Sequence, residues 1–190
     1  MPLRGRSNLV DEHFFFATTT IVKFARIFVD DECCDVLVRN IKHYQKRYHF
    51  VILGYVIMPS HFHWIIQVEP EKGTISDIMR DIKKYSAWDL IELLRISGRT
   101  QFDPLFRYEA VPYRDQSHKV WMKRFHDQVI RSEKMFFSRL RYIHNNPVEA
   151  GIVKRPEAYK YSSARNYILG DDSILSVDTS MAAGLYDAAR

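Results

Sequence analysis

His61 and His63 stand two residues apart in an otherwise apolar run with Phe62, Trp64, Ile65 and Ile66. On a strand, alternate side chains share a face, so both imidazoles leave one rigid element on the same side. Two imidazoles placed this way can hold one divalent ion through two ring nitrogens. The same spacing equally suits one buried, hydrogen-bonded histidine beside one at the surface. The Met58-Pro59-Ser60 break just before the pair puts it at a strand start after a turn, a frequent place for function.

Tyr142 and Asn146 lie four apart in the stretch Phe136 to Pro147 and share a helix face. They flank an apolar stripe of Phe136, Leu140 and Ile143. The stripe can pack on a sheet while Tyr142 and Asn146 look toward a site at its border. The Asn146 amide oxygen can complete a set of two nitrogens and one oxygen, leaving positions for phosphate oxygens or water. A tyrosine beside a metal-bound phosphate is a nucleophile candidate. The metal would polarise a phosphodiester, and attack by Tyr142 would leave a phosphotyrosine link that a hydroxyl can later reverse. Against this, the chain has 11 tyrosines. Aromatic residues on amphipathic helices mostly pack, and Tyr85, Tyr159 and Tyr161 are rivals. Asn145 and Asn146 also suit helix caps ahead of Pro147.

The elements that must position these residues are legible in outline. His13 to Val22 is aromatic and β-branched and reads as a strand. Asp30, Asp31 and Glu32 start a helix that runs to about His49. Phe50–Ile57 and His61–Val68 form a hairpin about the Met-Pro-Ser turn. Thr74 caps a second amphipathic helix carrying Ile75, Ile78, Met79, Ile82, Leu90, Ile91 and Leu94. Ser97 to Lys119 lacks a period and is predicted to be a loop. Val120 to Ile130 is strand-like. Ser132 caps a third helix, which Pro147 is predicted to stop. The order β-α-β-β-α-β-α predicts an α+β, ferredoxin-like antiparallel sheet with an added C-terminal helix that bears Tyr142. Residues 1–170 read as one catalytic domain and 171–190 as an acidic, flexible tail. No internal repeat is present.

Composition narrows the class. At 190 residues and 46% hydrophobic, the chain can bury one substantial core. Cys33 and Cys34 are adjacent and cannot easily bond without strain, which fits a reducing compartment. Met1 to Val10 has no apolar core of a signal peptide, and no run approaches membrane-spanning length. A cytoplasmic protein follows. The formal charge is +5, and it is concentrated: Lys119 to Arg165 holds eleven lysines and arginines against four acids. Basic residues interleaved with aromatics suit a phosphate-backbone partner, as they also suit an ordinary solvated face. Lys123, Arg124, Arg131, Arg139 and Arg141 lie near the tyrosine and are candidate phosphate contacts. Arg80, Lys83 and Lys84 form a second cluster, interspersed with Asp77 and Asp81. Trp121, Tyr159 and Tyr161 are candidates for base stacking or for core packing.

Several of these segments together resemble one family. Gly54-Tyr55-Val56-Ile57-Met58-Pro59-Ser60-His61-Phe62-His63 is similar to the strand-turn-strand of the single-tyrosine HUH transposases. Trp121-Met122-Lys123-Arg124-Phe125-His126-Asp127 resembles the strand before their tyrosine helix. The run from Tyr142 to Val153, with Asn145-Asn146-Pro147 inside it, resembles the tyrosine motif itself. Tyr161-Ser162-Ser163-Ala164 is similar to a segment of the REP-associated tyrosine transposase branch. The resemblance spans roughly residues 13 to 168. It implies a ferredoxin-like catalytic domain, a Mg2+ or Mn2+ ion, and single-stranded DNA with hairpin structure as substrate. Residue by residue, it implies His61 and His63 as metal ligands, Tyr142 as nucleophile and Asn146 as third ligand, where related enzymes often have Gln. Two imidazoles make a softer site than Mg2+ prefers, so Mn2+ should bind well and Zn2+ unproductively.

Two other classes fit the same residues. One is a catalytically silent module that only holds hairpin nucleic acid. The other is a ferredoxin-like endoribonuclease whose histidines act as general acid and base. Loss of activity on chelation separates metal chemistry from acid–base chemistry. The resemblance leaves monomer and homodimer both open.

Overall fold

In a computed structural model of the chain, residues 13–113 and 116–182 are described. Met1 to Val10, expected to hold no leader, and residues 183–190 of the expected tail lie outside them. Four strands form one antiparallel sheet: β1 (Phe14–Thr20), β2 (Val51–Met58), β3 (His61–Gln67) and β4 (His126–Val129). Their order across the sheet is β2-β3-β1-β4. Helices α1 (Asp31–Tyr48) and α2 (Ile75–Ile96) connect the strands in the ferredoxin-like manner, as expected. They are followed by α3 (Asp103–Ala110), α4 (Glu133–Glu149) and α5 (Ala164–Leu169). Among the described residues, no helix is long and apolar enough to cross a membrane.

The helix starts follow their caps. The Asp30 carboxylate accepts from the Glu32 amide, and Thr74 with Asp77 forms a reciprocal capping box on α2. Alternation on the strands then sorts the two faces. Phe15, Ala17, Tyr55, Ile57, Phe62, Trp64 and Ile66 build the main core with α1 and α2. Phe16, Val56, Met58 and Ile65 face the other way and bury Phe136, Leu140 and Ile143 of α4.

Register explains the fit of α4. Between β2 and β3, Ile52 pairs Ile66 and Gly54 pairs Ile65, so Leu53 is an extra residue turned toward α4. A Cβ on Gly54 would lie 2.7 Å from Leu140 Cδ1, which is itself fully buried. Gly54 therefore sets how closely the helix seats. Gly54→Val should cost about 1–3 kcal/mol by overpacking. Urea unfolding would report this as a lower midpoint with an unchanged slope.

Four sequence expectations need correction. The stretch 97–119 is not all loop, since α3 lies within it and buries Phe106 and Ala110. Its Pro104 falls in the first turn, where a missing N–H is harmless. The expected strand 120–130 is broken. Three steps along β1, from Thr18 to Ile21, are matched by five between His126 and Trp121. The two extra residues form a bulge that leaves Lys123 and Arg124 exposed.

Pro147 does not stop α4, which continues to Glu149. The termination lies beyond it, at Gly151 with φ of 68°. There the Gly151 amide donates to Val148 O and the Ile152 amide to Pro147 O, each at 2.9 Å. Asn145 and Asn146 are thus inside the helix and cap nothing. Finally, packing does not end at residue 170. Leu175 and Val177 are buried in the main core, and the Asp178 amide donates to Ile52 O at 2.9 Å.

The segment Tyr161–Ser163 lies along the outer edge of β2. The Ile57 amide donates to Tyr161 O, the Ser163 amide to Tyr55 O, and Val56 bridges Ser162. Ser163 Oγ accepts from the Tyr55 amide at 2.9 Å and lies 2.8 Å from His144 Nε2. Burial pushes His144 down to about 3. The unfolded chain takes up this proton near pH 6.5 and the folded chain does not, so stability falls as pH drops below that value. One such histidine contributes about 1.4 kcal/mol per pH unit. His63 and His61 are lowered as well and add to the slope, so denaturant melts between pH 6.5 and 5 should show more than one histidine's worth, and His144→Gln should lower it by one proton's worth.

Candidate active site

The histidine pair lies on the α4 side of the sheet, where the register stacks it in rows. Met58, His61 and Thr20 are one row, and Val56, His63, Thr18 and His126 the next. The His61 and His63 rings are 4.7 Å apart. His63 is only 4% exposed, while His61 is half-buried. Burial lowers both imidazoles below their usual range, and for His63, with His61 adjacent, to about 3. Both are neutral near pH 7, so each keeps a ring lone pair for a ligand or a proton.

Thr18 fixes His63. Its Oγ1 lies 2.7 Å from His63 Nδ1. With Nδ1–H donating to Thr18, the lone pair rests on Nε2. Nε2 points at Tyr142, whose hydroxyl lies 3.4 Å away. Phe16 fills the remaining side, stacked on His63 at 5.8 Å and edge-on to Tyr142 at 6.1 Å. The Arg139 guanidinium sits 5.1 Å over Phe16 and donates to Gln128 Oε1 at 2.7 Å. Tyr142 itself is 39% exposed, so its hydroxyl is open to a substrate. Sequence periodicity does not reveal Thr18 or Phe16, because both arrive from a strand more than forty residues upstream.

The rival tyrosines are accounted for elsewhere. Tyr159 donates to Ile57 O, Tyr161 to Asp35, and Tyr85 packs between Tyr44 and Trp88. Among the described tyrosines, Tyr142 is the one that meets His63. Tyr161 and Trp121 are buried, and Trp121 Nε1 donates to Ser86, so neither is available for stacking. Asn146 lies one turn along α4 from Tyr142, half-buried, and forms no hydrogen bond to either histidine. No group of three or more His, Cys, Asp or Glu residues that could hold a metal occurs among the described residues. A metal on this pair therefore needs its other ligands from an amide, water or substrate oxygen.

The candidate phosphate contacts divide. Lys123, Arg124, Arg131 and Arg141 are exposed, and Arg139 is half-buried against Gln128. Lys84 is exposed on α2. The Lys83 ammonium donates to Met122 O at 2.7 Å and Lys123 O at 3.2 Å, so it also ties α2 to the bulge.

Residues 13–99, which include both histidines, match the family model of the IS200-like transposases. That stretch is similar to the IS200-like transposases. The match ends before α4, so the tyrosine lies beyond it. A Haemophilus influenzae protein named as a REP-associated tyrosine transposase is 25% identical over 118 residues, 62% of this chain. The chain spans about three fifths of that relative, 61% of its length. Among solved structures, that of a REP-associated tyrosine transposase bound to a REP hairpin superposes with a TM-score of 0.62 at 20% identity. It covers 88% of this chain and 87% of the other. The chain thus shares that fold over most of its length. A Deinococcus radiodurans protein described as a transposase aligns at a TM-score of 0.44 and 17% identity, over 75% of this chain and 96% of its own.

Proposed function

We propose that the chain is a metal-dependent transposase-type enzyme that cuts and rejoins single-stranded DNA bearing a REP-type hairpin, with Tyr142 as nucleophile. The observation that carries this reading is the Tyr142 hydroxyl set against His63 Nε2, with His61 beside it on one strand. The family match and the fold shared with the hairpin-bound transposase support the substrate.

His61 and His63 would hold a Mg2+ or Mn2+ ion, with Asn146 as the third protein ligand. The donor set fits, since both imidazoles are neutral and leave the same face of β3, with His61 at its first residue. When bound, the ion supplies charge stabilisation at the scissile phosphate. Tyr142 gives up its phenolic proton and its oxygen bonds to phosphorus. The phosphorus–oxygen bond to the departing strand breaks, and that oxygen leaves as a hydroxyl after taking up a proton. One ester replaces another, so a waiting hydroxyl can attack the phosphotyrosine and restore the strand. Nε2 of His63 cannot serve a metal and the Tyr142 hydroxyl through one lone pair. An ion held there would take that lone pair, and the Tyr142 hydroxyl would then no longer be bonded to it.

The test is covalent adduct formation between the protein and a single-stranded hairpin oligonucleotide, read on denaturing gels with Mn2+. Absence of adduct with intact hairpin binding would favour the silent binding module. Thr18 should matter through His63 alone. Thr18→Val removes the group that selects the tautomer, and Mn2+ affinity should fall by about tenfold or more while the fold persists. Isothermal titration with the metal ion measures this directly.

A further inference from the structure

Strand β4 presents a further histidine on the side of the sheet that faces Tyr142. His126 pairs Thr18 of β1 in the register, and Thr18 pairs His63 of β3 on its other side. Residues paired across strands leave the sheet on the same face. Thr18 Oγ1 bonds His63 on that face, while Val129, three residues beyond His126, is buried in the main core on the other. His126 is exposed, and among the described residues no hydrogen bond, ion pair or ring contact holds its imidazole.

The backbones of His63 and His126 are two strand spacings apart, about 10 Å. Between them stands the short side chain of Thr18, so the row makes a slot with an imidazole at each end and a threonine floor. Helix α4 does not roof it. The helix seats over β2 and β3, with Leu140 and Ile143 at Gly54, and leaves His126 and Gln128 exposed. It supplies Tyr142 at the His63 end. In the next row Arg139 crosses Phe16 to reach Gln128, which brings a positive charge beside the slot. Displacement at phosphorus places the attacking and leaving oxygens on opposite sides. A phosphodiester in this slot would meet Tyr142 on one side and His126 on the other.

We propose that His126 protonates the oxygen of the departing strand during cleavage and takes that proton back when the strand is rejoined. In the forward step the phenolic proton of Tyr142 passes to water and its oxygen bonds to phosphorus. The bond to the departing oxygen breaks, and the His126 imidazolium gives that oxygen a proton. In the reverse step neutral His126 accepts the proton of the incoming hydroxyl. An alkoxide is a poor leaving group, so an acid placed beside it speeds departure. The neighbouring groups are unsuited to this work. The Nδ1 proton of His63 is held by Thr18, and Arg139 keeps its charge, so it can offset phosphate charge but not release a proton. The proposal rests on the strand-transfer reading with Tyr142 as nucleophile.

The experiment uses the full chain, Mn2+ and two single-stranded hairpin oligonucleotides. They differ in one atom: at the cleavage position the departing oxygen is replaced by sulfur in the second. A thiolate departs without needing a proton, so the sulfur substrate bypasses a missing acid. His126→Gln should form the adduct about a hundredfold or more slowly than the wild type on the oxygen substrate. On the sulfur substrate it should match the wild type. Its thermal midpoint, its affinity for the hairpin in EDTA and its affinity for Mn2+ by isothermal titration should all be unchanged, since the side chain is exposed and holds neither. Equal slowing on both substrates overturns the proposal, as does an undiminished rate on the oxygen substrate. A loss of hairpin or Mn2+ affinity that accounts for the slowing also overturns it. In each of those results the wild type still forms its adduct, so the nucleophile assignment stands. Absence of adduct from the wild type on both substrates instead removes the strand-transfer reading, and this proposal with it.

Discussion

Tyr142→Phe is expected to eliminate the covalent protein–DNA adduct while leaving the protein folded and able to bind hairpin DNA. The phenolic oxygen is the atom proposed to bond to phosphorus, and phenylalanine keeps everything else. Cleavage should fall by about a thousandfold or more, the scale on which losing a nucleophile acts. Stability should change by less than about 1 kcal/mol. The hydroxyl is part-exposed, and its contact with His63 Nε2 is a long one at 3.4 Å. α4 is held by Phe136, Leu140 and Ile143 rather than by this ring. Denaturing gels with Mn2+ and a single-stranded hairpin substrate, run beside thermal melts, separate the two effects. A robust adduct in Tyr142→Phe would overturn the assignment and direct attention to another hydroxyl.

Chelation should have an effect of similar size. EDTA should stop cleavage by the wild type, and added Mn2+ should restore it. His61→Ala and His63→Ala should each lower cleavage by about a hundredfold or more, since each removes one of the ring nitrogens that would fix the ion. The two variants should differ in stability. His61 is half-buried and bonded only to its neighbour Ser60, at 3.2 Å, so its loss should be nearly silent in a melt. His63 is buried between Phe16 and Tyr142 and satisfies Thr18, so His63→Ala leaves a void and an unpaired hydroxyl. A loss of about 1–3 kcal/mol is expected there. Full cleavage in EDTA, with both histidines still required, would instead assign them to general acid–base work.

The parts of this site that the sequence makes legible are those held within one element. A period of two places His61 and His63 on one face, and a period of four aligns Tyr142 with Asn146; neither depends on the rest of the chain. Contacts between distant strands are different. Thr18 meets His63 because β1 and β3 pair in one register out of several, and no local pattern specifies which. The same holds for Leu53, whose bulge turns it onto α4. Pro147 misleads because a proline usually ends a helix, whereas here Gly151, four residues on, supplies the cap. Helix α3 is missed because eight residues with a proline near the start give too short a window for a period to show. Charge in the basic stretch is plain from composition, but which side chains are spent on structure is not. Trp121 and Tyr161, aromatic and surrounded by cations, turn out to be core.

The strip Tyr161–Ser163 along β2 bears on how copies of this chain can associate. A bare sheet edge invites a second molecule to extend the sheet, in ordered dimers or in aggregates. On this side, three residues of the chain's own backbone already take the β2 hydrogen bonds, and Ser163 and His144 anchor them from behind. A partner could not add a strand at β2 without prying that strip away. The opposite margin, β4, offers only four residues. Among the described residues, an assembly of this protein is therefore not built by running one sheet into the next at β2.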